Sequence, residues 1–152
     1  MLIEGKFNMK APIQKVWDFL MEPGTLVSCI PGAEKMEAVD DTTWEGTVKQ
    51  KVGPISVKIN FIQTLSDVQP PNHLKAVGRG SAMGGAGTFS QETIVDLKEI
   101  AKGEVEVTYS SNVNVVGRLA TFGERIMRAK VNKVGAEFTQ NLQKALESHV
   151  GG

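Results

Sequence analysis

The stretch VEVTYSSNVNVVGRLATFGERIM, residues 105–127, changes its hydrophobic period in the middle. Up to Val115 the apolar residues alternate: Val105, Val107, Tyr109, Val113 and Val115 share one face, and Glu104, Glu106 and Thr108 lie on the other. A period of two marks a strand with one wet face. After Gly117 the period becomes that of a helix. Leu119, Phe122, Ile126, Val134, Phe138, Leu142 and Leu146 fall on one stripe, flanked by Met127, Val131 and Ala145, which predicts one helix of roughly thirty residues. Glu124, Arg125, Arg128, Lys133, Glu137, Gln140 and Lys144 lie on its solvated face.

The alternating pattern extends backward to Glu34, interrupted at Asp40-Asp41, Gly53-Pro54, Gln69-Pro70-Pro71-Asn72, Gly84-Gly85 and Lys102-Gly103. Each interruption is a turn signal, and none is long enough for a crossover helix, so the strands are predicted to be antiparallel. Trp44, Gly46, Val48 and Val52 share a face, as do Ile55, Val57, Ile59 and Phe61. An earlier strand is read from Ile3, Gly5, Phe7 and Met9 against Glu4, Lys6, Asn8 and Lys10. Between it and the main series, Ile13, Val16, Trp17 and Leu20 have helical spacing after Pro12, which suits a first helical turn. A short helical turn and a bend at Pro31-Gly32 follow. The predicted fold is therefore α+β, a curved seven-stranded antiparallel sheet gripping a long C-terminal helix, in a single domain over residues 1–150.

Composition narrows the function. Lys+Arg and Asp+Glu both number 17, so no global charge attracts nucleic acid or an anionic surface. The lone cysteine, Cys29, forms no internal disulfide, and MLIEGKFNMK lacks the apolar run of a secretory signal; a cytoplasmic protein is expected. No apolar stretch is long enough to span a bilayer as a helix.

Leu74, Ala76, Gly78, Gly80 and Ala82 put small side chains along one strand face. A glycine floor beneath a helix leaves space for a ligand, and is equally consistent with sheet curvature or closer helix packing. Gly78 to Gly84 looks like a nucleotide loop but is followed by a strand from Thr88 to Leu97, not a helix. His73 beside the prolines reads as a solvated loop residue, and neither it, His149 nor Cys29 has metal-ligand spacing. Cys29 reads as a buried small hydrophobe. The polar residues expected to face inward, Gln50, Gln91, Thr93, Tyr109 and Ser111, include no acid or base suited to neutral pH, so no catalytic residue is assigned. Trp17, Leu20, Ile30, Phe61, Gly78, Gly80, Phe89, Tyr109, Phe122, Ile126 and Met127 are expected to line the ligand space, with access between the long helix and the Pro12 to Gly32 region.

Ala11-Pro12, Val16-Trp17-Asp18-Phe19-Leu20, Cys29-Ile30-Pro31-Gly32-Ala33-Glu34, Val52-Gly53-Pro54-Ile55-Ser56-Val57, the Gly78 to Gly87 stretch and Asn114-Val115-Val116-Gly117-Arg118-Leu119-Ala120 together resemble the carbon monoxide dehydrogenase G-subunit (CoxG) family of the START-like (SRPBCC) helix-grip superfamily. The resemblance implies a pocket under the long helix and a non-catalytic accessory role to a molybdenum-containing carbon monoxide dehydrogenase or related hydroxylase. It implies a lipid or quinone as cargo, no tightly bound cofactor, and peripheral contact at the inner face of the membrane that aids the oxidase's recruitment. Some members carry a membrane-engaging extension; here the sequence stops at Gly151-Gly152 without one, so a soluble carrier is expected. The alternatives are a cyclase or hydrolase acting in the same pocket, and an assembly factor that works through its surface.

Overall fold

The computed structural model describes residues 1–150, except the side chains of 149 and 150, so the His149 side chain and Gly151-Gly152 lie outside the described residues. The chain runs β1 (Leu2–Met9), α1 (Ile13–Leu20), α2 (Pro23–Cys29), β2 (Ala33–Ala38), β3 (Thr43–Val52), β4 (Ile55–Gln69), β5 (His73–Ala82), β6 (Gly87–Ala101), β7 (Glu104–Val116), a 3-10 helix (Arg118–Phe122) and α3 (Glu124–Val150). Every predicted turn falls between strands. The seven strands form one antiparallel sheet in the order β1-β7-β6-β5-β4-β3-β2. Successive hairpins build it from β2 to β7, and β1 closes against β7. The strands β1 and β2 are thus opposite edges, and α1 and α2 span the distance between them.

Two local features hold that span. Pro12 ends the extended segment and its carbonyl accepts from Lys15 N and Val16 N, at 3.0 and 3.1 Å, starting α1 with Val16 and Trp17 on its buried face. Gly32 then adopts φ 80, and a Cβ there would collide with the backbone oxygen of Lys49. Only glycine takes that backbone without a steric cost, and it lets Lys49 N donate to Gly32 O at 2.8 Å while Gln50 Nε2 donates to Pro31 O at 2.6 Å. The Pro31-Gly32 bend is thereby fastened to β3.

One expectation needs correction. The periodic stripe after Gly117 is not one helix, because Gly123 has φ 86 and turns the chain between the 3-10 helix and α3. Leu119 before the break and Leu142 and Leu146 after it are buried.

The core is divided. One cluster joins Met9, Val16, Trp17, Leu26 and Cys29 to Leu142 and Leu146 of α3 and to the β5, β6 and β7 residues Leu74, Leu97, Val105 and Val107. The other joins Val52, Val57, Ala82 and Ala86 to Leu119. As expected, Cys29 is a buried hydrophobe.

His73 is not a free loop residue. Its Nδ1 lies 2.6 Å from Asp96 Oδ1 and its Nε2 lies 3.1 Å from Asp67 Oδ2, tying the β4–β5 turn to β6. The Asp96 hydrogen bond raises the His73 pKa above the ordinary imidazole range, helped by the negative charge of both carboxylates and opposed by partial burial. The Asp67 pKa is lowered, first by the hydrogen bond from Gln69 Nε2 at 2.8 Å and further by the His73 and Lys75 charges. A histidine whose folded pKa is raised stabilises fully below its unfolded value of about 6.5, and that contribution is lost as pH rises through the folded value. Urea unfolding of the native protein and His73→Gln should therefore differ at pH 5.5 and converge by pH 8.5. A gap that widens with pH would contradict the clamp.

Candidate functional site

Burial alternates along each strand and separates the two faces of the sheet. Inward, β3 presents Trp44, Gly46, Val48 and Gln50, β4 presents Ile59, Phe61, Gln63 and Leu65, and β5 presents Ala76, Gly78 and Gly80. From β6 come Phe89, Gln91 and Thr93, and from β7 Tyr109, Ser111 and Val113. No Asp, Glu, Lys, Arg or His is among these inward positions. The interior is apolar with an uncharged polar centre.

The glycine floor is occupied. A Cβ at Gly80 would lie 2.6 Å from Phe89 Cζ, and one at Gly46 would lie 2.8 Å from Phe61 Cζ. At Gly5 it would meet the Tyr109 ring, 2.7 Å from Cζ, and at Gly78 the Gln91 amide, 3.0 Å from Nε2. Each covering residue is its glycine's direct cross-strand partner: Gly80↔Phe89, Gly46↔Phe61, Gly5↔Tyr109 and Gly78↔Gln91. A large side chain laid across a glycine on the neighbouring strand shields the bare backbone and removes the gap at that point. The glycines therefore accommodate their partners' side chains and do not leave holes of their own.

Between the two core clusters the inward face is less tightly covered. Val48, Phe61, Phe89 and Val113 on the sheet and Val131 and Val134 on the α3 stripe belong to neither cluster and are only half-buried. Before Leu142, no residue of α3 is buried, and Ile126 is 44% exposed. The helix is tied down in both halves: Arg128 Nη1 donates to Leu2 O at 2.7 Å, Asn141 Nδ2 donates to Cys29 O at 2.9 Å and Lys10 N donates to Gln143 Oε1 at 3.0 Å, with its buried residues in the C-terminal half. The expected access beside the Pro12 to Gly32 region is consequently sealed by core. A cleft of about 210 Å³ instead opens between the end of β7 and the start of α3, lined by Met1, Val113, Val115, Gly123 and Met127.

The expected lining residues divide among these regions. Phe61, Gly78, Gly80, Phe89 and Tyr109 share the middle of the inward face. Trp17 is 4% exposed inside the first core cluster, with Leu20 and Ile30 packed against it. Phe122 and Met127 pack on the second cluster. Ile126 is on the exposed side of α3, because three residues of helical advance from Gly123 rotate it away from the stripe through Met127 and Val131.

At the centre of the face is a hydrogen-bonded group. Thr93 Oγ1 donates to Gln91 Oε1 at 3.2 Å and lies 2.8 Å from Ser111 Oγ, and Gln91 Nε2 donates to Gln63 Oε1 at 3.2 Å. Gln91, Thr93 and Ser111 were legible from alternation. Gln63 carries no such expectation, although one more step along the Ile55 to Phe61 alternation reaches it.

The outward face carries a second cleft, of about 690 Å³, whose floor includes Thr47, Asn60, Ser81, Thr88 and Ser90, with Lys35, Glu45 and Arg79. Gly46, Phe61, Ile62, Gly80, Phe89 and Val116 also line it, so this cleft mixes apolar surface with hydroxyls, amides and charges. Among the described residues, no group of His, Cys, Asp and Glu could hold a metal, and no helix is long and apolar enough to cross a membrane.

Comparison with known proteins agrees with this architecture. The family model for the G-subunit of carbon monoxide dehydrogenase (CoxG) matches residues 5–147. No curated protein matches the sequence. Among solved structures, a conserved protein from Geobacillus kaustophilus superposes with TM-score 0.91 at 24% identity, covering 97% of this chain and 96% of that one. A START superfamily protein from Mycobacterium smegmatis gives 0.75 at 9% identity, with 97% of each chain covered. The Zhui aromatase/cyclase from Streptomyces sp. R1128 gives 0.71 at 12% identity, covering 99% and 95%. At these identities the structural likeness establishes a common START-like helix-grip fold.

Proposed function

Because the chain belongs to the CoxG family of carbon monoxide dehydrogenase, we propose that it is a non-catalytic accessory protein that carries a hydrophobic molecule, a lipid or a quinone, between its sheet and α3. Its client is a molybdenum-containing oxidase of the carbon monoxide dehydrogenase type. It acts in the cytoplasm with peripheral contact at the inner face of the membrane, where cargo is exchanged and the oxidase is recruited. The observation that carries this reading is the uncharged, half-exposed inward face between the two core clusters. Apolar surface left unfilled inside a grip is costly in water and favourable against an apolar guest. An enzyme in the same space would need a positioned acid, base or nucleophile, and the inward polar groups are amides and hydroxyls.

Protein purified from its native host, extracted with organic solvent and examined by mass spectrometry, should release a lipid or quinone in stoichiometric amount. Val134→Trp, which adds a large side chain to the α3 stripe, should reduce the cargo at least about tenfold while the melting temperature stays within a few degrees. An empty extract, with no binding on titration of lipids and quinones, would sink the carrier reading. Undiminished capture of the oxidase by the filled variant would favour recruitment through the surface.

A further inference from the structure

The polar group on the inward face has a direction. Ser111 shares its hydroxyl hydrogen between Thr93 Oγ1, at 2.8 Å, and Gln91 Oε1, at 3.5 Å. Thr93 donates to Gln91 Oε1, and Gln91 in turn donates through Nε2 to Gln63 Oε1, at 3.2 Å in both cases. A chain of donors arranged head to tail polarises each successive bond, and its last donor is the strongest. That last donor is Gln63 Nε2, which has no hydrogen-bond partner among the described residues.

Gly78 makes the arrangement possible. It stands between the two glutamines in one row across the sheet, paired with Gln63 on β4 and with Gln91 on β6. The Gln91 amide lies over the bare Gly78 backbone, and a Cβ there would sit 3.0 Å from its Nε2 and 3.1 Å from its Cγ. Gln63 is half-buried on the inward face, and its Nε2 is not sealed away from water. An oxygen acceptor on a guest would take that donor's hydrogen bond in place of water, in surroundings without charge.

We propose that Gln63 binds the polar head of the guest, and that the head is an uncharged oxygen acceptor such as an ester, ketone or amide carbonyl. The assignment rests on the carrier reading and names the chemistry it selects. A carboxylate or phosphate head would be desolvated with no Lys, Arg or His on the inward face of the sheet to neutralise it. An ammonium head would meet a donor and find its own hydrogens unpaired. The tail lies against Phe61, Phe89, Val113 and Val134.

The test uses ligands that share one tail: methyl palmitate, palmitate, hexadecylamine and hexadecane, titrated into delipidated full-length protein. Methyl palmitate should bind roughly tenfold tighter than hexadecane or palmitate, the ratio expected of one hydrogen bond made in an apolar site. Gln63→Met, close in shape, should bring methyl palmitate down to the hexadecane value. Gln63→Glu should move the preference to hexadecylamine. Equal or tighter binding of palmitate by the native protein, or an unchanged preference in Gln63→Met, would overturn the assignment while leaving the carrier reading standing. If none of the four ligands binds, the head-group assignment falls, and the carrier reading falls with it only if the native extract is empty as well.

Discussion

Leu142→Ala should lower the unfolding free energy by about 3 kcal/mol, and Ile126→Ala by less than about 0.5 kcal/mol, although both positions lie on the same predicted apolar stripe. Leu142 has no solvent exposure and packs in the cluster that joins α3 to α1 and α2, whereas Ile126 is 44% exposed. Removing a buried isobutyl group loses its transfer free energy and leaves a cavity that rigid neighbours fill poorly. For a chain of this length the loss corresponds to a melting temperature lower by on the order of 10 °C. Chemical denaturation of both variants checks the contrast. Equal losses would mean that Ile126 is buried in the folded protein.

Gly80→Leu should be destabilising by about 1–3 kcal/mol, and Phe89→Ala combined with it should recover part of that loss. A side chain at position 80 would enter the volume of the Phe89 ring and come 2.9 Å from the Asn60 backbone oxygen. The ring can rotate away only by leaving its place over the sheet, and the backbone oxygen cannot move without disturbing the β4–β5 ladder. Removing the ring vacates the volume, so the two substitutions should be strongly non-additive, with a coupling of about 1 kcal/mol or more. Additive effects in a double-mutant cycle would show that Phe89 does not cover Gly80. At Gly46 a Cβ would meet the Lys35 backbone oxygen, at 2.5 Å, before the Phe61 ring, so removing Phe61 there should recover less.

These two sites illustrate what was readable in advance. Every strand has one wet face, so alternation marked Phe61, Gly80, Phe89 and Tyr109 as inward before any pairing was known, and Gly or Pro residues marked the turns. The family resemblance agreed over nearly the whole chain. His73 looks like a solvated loop residue in sequence because Asp67 and Asp96, its two partners, are six and 23 residues away, and only the folding of β4 and β6 beside β5 brings them together. Ile126 joins the apolar stripe only if one helix runs from Gly117, and the break at Gly123 shifts the phase of the helix that follows it.

Period and punctuation thus determined the elements, their amphipathic faces and the antiparallel grip, because those depend on neighbours within a few residues. What fills the grip was decided by register. A period of two says which face a side chain occupies, but not which residue stands opposite it on the next strand, and a slip of one residue changes every pairing. The assembled sheet set phenylalanines opposite Gly46 and Gly80, and Gln91 beside Gly78 within reach of Gln63. The expected empty floor is a covered one, with Gln63 Nε2 unpartnered beside it among the described residues, and the least covered part of the inward face lies between the two core clusters.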